Sequence, residues 1–227
     1  MTKRAPRGAL AEESGGRGAH GATLSRCRRC PRLAAFRDEI KARHPDYSCR
    51  PVPAFGDERG RLIIVGLAPG LHGANATGRP FTGDYAGILL YETLHRLGLA
   101  NKQQSVAIGD GLVLAGCRIT NAVKCVPPAN RPTAEEIRTC APYLNAELAG
   151  IADGSVIMAL GRIAHEAVLR GFGVPLARHK FAHGARHVIG RQVLWDSYHC
   201  SRYSTQTKRL TEEMFMAVMS AALREVS

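Results

Sequence analysis

Three short stretches of this chain carry side chains able to do chemistry. Residues 66–87, GLAPGLHGANATGRPFTGDYAG, place six glycines and two prolines in 22 positions, with Arg79, Phe81 and Asp84 as cation, ring and carboxylate. Glycines let a backbone approach a ligand closely, and a lone carboxylate can serve as general base or as a fixed negative charge. The second stretch, TNAVKC, offers Asn121. Its side-chain amide holds both a donor and an acceptor, which reading the edge of a nucleic-acid base requires. An asparagine alone is more often a turn residue. The third, SYHCS, presents His199 as a donor or acid, although a chain with nine histidines holds structural ones too. The first loop lacks G-x-x-x-x-G-K-[ST] and a clean dinucleotide fingerprint, which disfavours a small-molecule enzyme holding a nucleotide phosphate.

The cysteines form a separate set. Cys27 and Cys30 make a C-x-x-C pair, and Cys125 and Cys140 lie 15 positions apart. Two segments supplying four thiolates suit a tetrahedral zinc ion or an iron–sulfur cluster, and spacing does not choose between them. Cys49, Cys117 and Cys200 are expected to be non-ligands. Seven cysteines are an odd count, so complete intramolecular disulfide pairing is excluded.

The elements that must position these residues follow from the apolar pattern. Leu62–Val65 reads as a buried strand emptying into the Gly-rich loop, which then runs into a helix from about Asp84 to Leu97. A loop so placed lies at the carboxyl end of a sheet, where open α/β folds bind ligands. Cys117–Val123 reads as a strand. Thr133-Ala-Glu-Glu136 has the form of a capping box, opening a helix to about Ala149. Val156–Leu160 is a third strand, with a helix from Gly161 toward Leu169. Val188-Ile189 and Gln192–Trp195 suggest a hairpin turning at Gly190. The chain closes with a helix from about Thr207 to Arg224, with Leu210, Met214, Val218 and Ala221 on one stripe. Thr23–Arg43 reads as helical apart from the break at Cys27–Pro31. Strands alternating with helices predict a three-layer α/β/α fold around a mainly parallel sheet.

At 227 residues the chain suffices for one well-buried domain, read as 22–227 behind a disordered tail, 1–21. No segment has the uninterrupted apolar length of a membrane span, and no secretory signal is visible, so a cytoplasmic home and a monomer are expected. A net charge of +12 argues for a polyanionic partner. The basic residues are dispersed, from Arg26 to Arg43 and again at Arg202, Lys208 and Arg209, as on a folded face that tracks a phosphate backbone.

Taken in order, the three stretches and the cysteines resemble the uracil-DNA glycosylase superfamily, and within it family 5, or type b. The resemblance runs from about Cys27 to Thr211. It implies a central four-stranded sheet, DNA as partner (double- or single-stranded, containing uracil or other deaminated bases), and hydrolysis of the N-glycosidic bond to leave an abasic site. It implies a [4Fe–4S] cluster on Cys27, Cys30, Cys125 and Cys140. For the site it implies catalysis by Asp84, Asn121 and His199, and base contacts from Gly66, Leu67, Ala68 and Phe81. DNA contacts are expected from His72, Gly73, Asn75, Arg79, Arg202 and Lys208. Two departures stand out: Cys200 occupies the place of a proline found after the histidine in many members, and Arg202-Tyr203-Ser204 holds no obvious apolar wedge. A rival reading from another class is a non-catalytic iron–sulfur protein that binds nucleic acid.

Overall fold

The structure is a computed structural model and describes residues 23–226; the expected tail lies outside them. Six strands form one sheet: β1 (Phe55–Gly56), β2 (Leu62–Gly66), β3 (Cys117–Asn121), β4 (Val156–Leu160), β5 (Arg186–Ile189) and β6 (Gln192–Ser197), in the order β1-β3-β2-β4-β6-β5. The four inner strands are parallel, as the sequence predicts. The sheet is wider than expected, because β1 and β5 add antiparallel edges. β1 is two residues long and too short to leave a period in the sequence.

Helices cover both faces, so β2 and β4 are buried at every position and read as unbroken apolar runs rather than alternating ones. Their residues still sort by parity. Leu62, Ile64, Val156, Met158 and Leu160 pack with helix α3 (Tyr85–Arg96) and helix α7 (Glu212–Leu223). Ile63, Val65, Ile157 and Ala159 face helix α4 (Ala134–Ala149) and helix α5 (Arg162–Gly171). The remaining helices are α1 (Pro31–Arg43), α2 (Ala74–Thr77) and α6 (Arg202–Gln206).

Two segments differ from expectation. The terminal helix begins at Glu212 rather than Thr207, because Lys208 takes a φ of 55° and the Thr211 side chain caps Met214 N–H. Its buried stripe is therefore Phe215, Val218, Met219 and Ala222. The separate short helix α6 starts at Ser201, which caps it. The hairpin at Gly190 and the capping box of Thr133 and Glu136 form as predicted.

Candidate active site

Strand order reverses between β2 and β4: the chain places β3 on one side of β2, then crosses to build β4 and β6 on the other. The crevice outside the carboxyl ends at such a switch point is the usual ligand site of an open α/β sheet. Parallel register sets Gly66 beside Asn121 at the ends of β2 and β3, and Leu160 beside Ser197, two residues before His199. The three stretches singled out in the sequence thus converge on one end of the sheet.

The contacts there are close. A Cβ on Gly66 would lie 2.4 Å from Asn121 Oδ1 and 2.6 Å from the Phe81 ring, so only glycine lets this amide and this ring share the floor of the crevice. Asn121 is buried, and its Oδ1 has no hydrogen-bond partner among the described residues. A buried, unpaired amide oxygen is costly unless a ligand satisfies it. Phe81 lies beside His199, ring centroids 6.0 Å apart and planes 26° from parallel.

Phe81 has a φ of 53°, a strained value for a side chain of its size. Its surroundings impose it. Pro80 C=O accepts from Tyr91 Oη at 2.8 Å and from Thr82 Oγ1 at 3.2 Å. On the other side, Phe81 C=O packs so tightly on Gly87 that a Cβ there would approach it to 1.8 Å.

Asp84 is the N-cap of α3, accepting from Gly87 N–H at 2.9 Å. Its carboxylate sits over Gly73 and Gly70, where added Cβ atoms would come within 2.6 and 3.3 Å of Oδ2. Capping and a catalytic aim are compatible: the helix fixes one oxygen and leaves the other toward the loop. Burial raises the Asp84 pKa, against the lowering effect of the Gly87 and Ala86 amides. His199 is half-buried by exposed area but enclosed by protein, and desolvation pulls its pKa down to about 4. At neutral pH His199 is therefore a neutral imidazole.

Of the other base-contact residues, Leu67 and Ala68 are half-buried beyond β2, and Leu67 C=O accepts from Val123 N–H at 2.9 Å. Ala68 packs on the other side against Leu33, Val123, Cys125 and Cys140. The expected DNA contacts divide. His72, Arg202 and Lys208 are exposed. Gly73 is buried beneath Asp84 and serves its placement. Arg79 corrects the expectation: it is 3% exposed, its Nη1 2.8 Å from Asp110 Oδ1 and its guanidinium 4.5 Å over the Phe55 ring. A cation committed inward this way does not reach a phosphate. Asn75 is likewise fully buried, donating to Leu71 C=O and Cys49 Sγ. Nothing in the sequence marks Tyr91 or Asp110, which hold the Phe81 turn and Arg79 from far along the chain.

Cys27, Cys30, Cys125 and Cys140 line one cavity, with Arg28, Arg29, Arg37 and Lys124 around it and no histidine or carboxylate in the lining. Four thiols gathered with cations around them, beside the hydroxyls of Thr139 and Tyr143, form a donor set that fits a thiolate-held metal group. Lys124 N–H already donates to Cys140 Sγ at 3.2 Å. Cys49, Cys117 and Cys200 are buried elsewhere.

Another group of metal-ligating side chains among the described residues is His165, His187 and Asp196, whose ligand atoms all lie within 4.8 Å of one another. Its polar atoms are already matched: the Asp196 oxygens pair with His165 Nδ1 at 2.8 Å and His187 Nε2 at 3.0 Å, and His165 Nε2 donates to His179 C=O. It is a hydrogen-bonded brace joining α5, β5 and β6.

Known proteins similar to this chain point to one family. The family model described as the uracil DNA glycosylase superfamily matches residues 53–223. A type-5 uracil-DNA glycosylase of Thermus thermophilus is 50% identical over 208 residues, 89% of this chain and 94% of that one. Proteins of the same description from Pyrobaculum aerophilum and Mycobacterium tuberculosis are 43% and 46% identical, over 88% and 85% of this chain and 88% and 75% of theirs.

Proposed function

This chain belongs to the uracil DNA glycosylase superfamily, and we propose that it removes uracil from DNA with Asp84, Asn121, His199 and Phe81 dividing the work. The observation that carries the assignment of roles is the buried, unpartnered Oδ1 of Asn121 beside Gly66 and Phe81. A base must leave the stack before its glycosidic bond can be reached. Once flipped into the crevice, it stacks on Phe81. Its N3–H donates to Asn121 Oδ1, and its O4 accepts from the Asn121 amide nitrogen. Deaminated purines display the same edge, a carbonyl beside an N–H, so the same amide serves for them.

Bond cleavage puts negative charge on the departing base and positive charge on the sugar. Neutral His199 donates to uracil O2, an interaction that strengthens as charge builds there. Asp84, held ionised at the N-cap of α3, faces the sugar side. It stabilises the oxocarbenium-like sugar and orients the attacking water, accepting its proton as the new C–O bond forms. Ala68 supplies no polar group, so Asp84 bears this task alone within the first loop. Outside the crevice, exposed His72, Arg202 and Lys208 contact phosphate.

The four-thiol cavity is read as the seat of an iron–sulfur cluster held by Cys27, Cys30, Cys125 and Cys140. Hydrolysis moves no electrons, so such a group would act as a structural tie between α1 and the Cys125–Cys140 segment. Ala68, packed on that cavity, connects the tie to the first loop. The experiment that tests the function is incubation of the protein with end-labelled uracil-containing duplex followed by hot alkali. Cleavage at the uracil position alone is expected. An intact strand that nevertheless binds the protein would favour the non-catalytic reading.

A further inference from the structure

The segment carrying His199 holds no proline: Tyr198 precedes the histidine and Cys200 follows it. Tyr198, the residue before His199, is held at both its carbonyl and its N–H. Its carbonyl accepts from Ser197 Oγ at 2.9 Å, and its N–H donates to His183 Nδ1 at 3.3 Å. The His183 ring also stacks on the Tyr198 ring, centroids 5.1 Å apart and planes 17° from parallel. The Arg209 guanidinium lies 4.5 Å over the same tyrosine ring.

A backbone N–H can only donate, so His183 Nδ1 must carry a lone pair, which leaves Nε2 as the protonated nitrogen. One neutral imidazole thus holds the peptide that follows β6. His183 is itself held: Gly184 N–H donates to Asp196 C=O at 2.8 Å, and Asp196 N–H donates to Ala185 C=O at 2.9 Å. Behind them lies the buried His165–Asp196–His187 brace.

We propose that His183 is a positioning residue for this reaction, clamping the Tyr198 peptide so that His199 is aimed at the flipped base. The inference rests on the role given above to His199. Burial also lowers the His183 pKa, in keeping with a neutral ring. The clamp makes no contact with the reacting atoms and acts only through His199. Its loss therefore alters the rate and not the hold on DNA.

A double-mutant cycle tests this. His183→Phe keeps a stacking ring but removes the acceptor for the Tyr198 N–H. It should slow single-turnover uracil excision about 10–100-fold, the scale of a small misplacement of a reacting group, with DNA affinity within about twofold. His183→Gln, whose amide offers an acceptor and a donor, should restore most of the rate. In a His199→Ala background His183→Phe should cost less than about twofold, since residues acting through one another are not additive. Surface Arg209→Gln should show a smaller loss of about 2–5-fold with the same non-additivity, and serves if His183→Phe does not fold. Equal losses in both backgrounds, or a His183→Gln as slow as His183→Phe, would overturn the clamp. If His199→Ala alone left the rate unchanged, the role of His199 would itself be refuted, and the two failures are thus distinguishable.

Discussion

At the scale of single residues, the crevice combines a capped carboxylate, an unpaired amide and a desolvated imidazole. Asn121→Ala removes the buried amide whose Oδ1 is left unpaired in the crevice. It should lower excision about 10–100-fold, equivalent to the loss of about 1–3 kcal/mol, while binding of undamaged duplex stays unchanged in a gel-shift titration. Gly66→Ala drives a methyl into Asn121 and Phe81 and should abolish excision in a protein that still folds, as judged by circular dichroism. The pH profile follows from two groups needed as a carboxylate and a neutral ring. As pH falls, Asp84, whose pKa burial raises, gains its proton, and His199 gains one near 4. The rate should decline on the acid side, above the usual carboxylate range, and stay level from neutral to mildly alkaline pH. Stability carries opposite signs. The unfolded state protonates its histidines near 6.5, so His199 makes folding less favourable as pH drops from there toward 4. Raised Asp84 opposes folding as pH climbs through its pKa. That the stretches carrying Phe81, Asp84, Asn121 and His199 meet at one end of the sheet was legible in the sequence, because each ends or follows an apolar strand. Arg79 and Asn75 were misread because burial depends on Asp110, Phe55 and Cys49, partners that no local pattern reveals.

At the scale of elements, the strands β2, β3, β4 and β6 and the start of α4 were legible, since unbroken apolar runs and a capping box are local signals. The edge strand β1 and the split between α6 and α7 were not, because tertiary pairing makes the first and a left-handed Lys208 makes the second. Glu136 shows how one element serves two purposes. It completes the capping box with Thr133 and accepts from Arg32 through Nε and Nη2, both at 2.7 Å, fastening α1 to α4. Those two helices flank the thiol cavity, α4 carrying Cys140 and α1 following directly on Cys30. Thr133→Ala should cost about 1 kcal/mol, lowering the melting temperature by about 2–4 °C. Glu136→Ala should cost more, and should also speed the bleaching of any visible iron–sulfur absorption when the protein is exposed to air. Bleaching at the wild-type rate would separate this fastening from the metal site.

At the scale of the whole molecule, the basic cluster from Arg26 to Arg43 is less free to meet a polyanion than the sequence suggests, while the net charge stays at +12. Arg28, Arg32 and Arg43 pair with Asp38, Glu136 and Glu39, and Arg37 is buried against the carbonyls of Cys27 and Cys49. Arg202, Lys208 and Arg209, which follow His199 in the chain, are exposed. Affinity for duplex DNA should still fall steeply with salt, and Lys208→Ala should shallow the slope of log affinity against log salt by about 1. Among the described residues no helix is long and apolar enough to cross a membrane. The central claim is that one end of this sheet excises uracil through the charge of Asp84. The direct measurement is single-turnover excision by Asp84→Asn, a change that keeps size and capping ability and removes the charge. The account predicts a fall of about 100-fold or more, undiminished affinity for uracil-containing DNA, and a melting temperature at neutral pH no lower than that of the unaltered protein. Near-normal excision by the folded variant would contradict it and leave Asp84 as a helix cap.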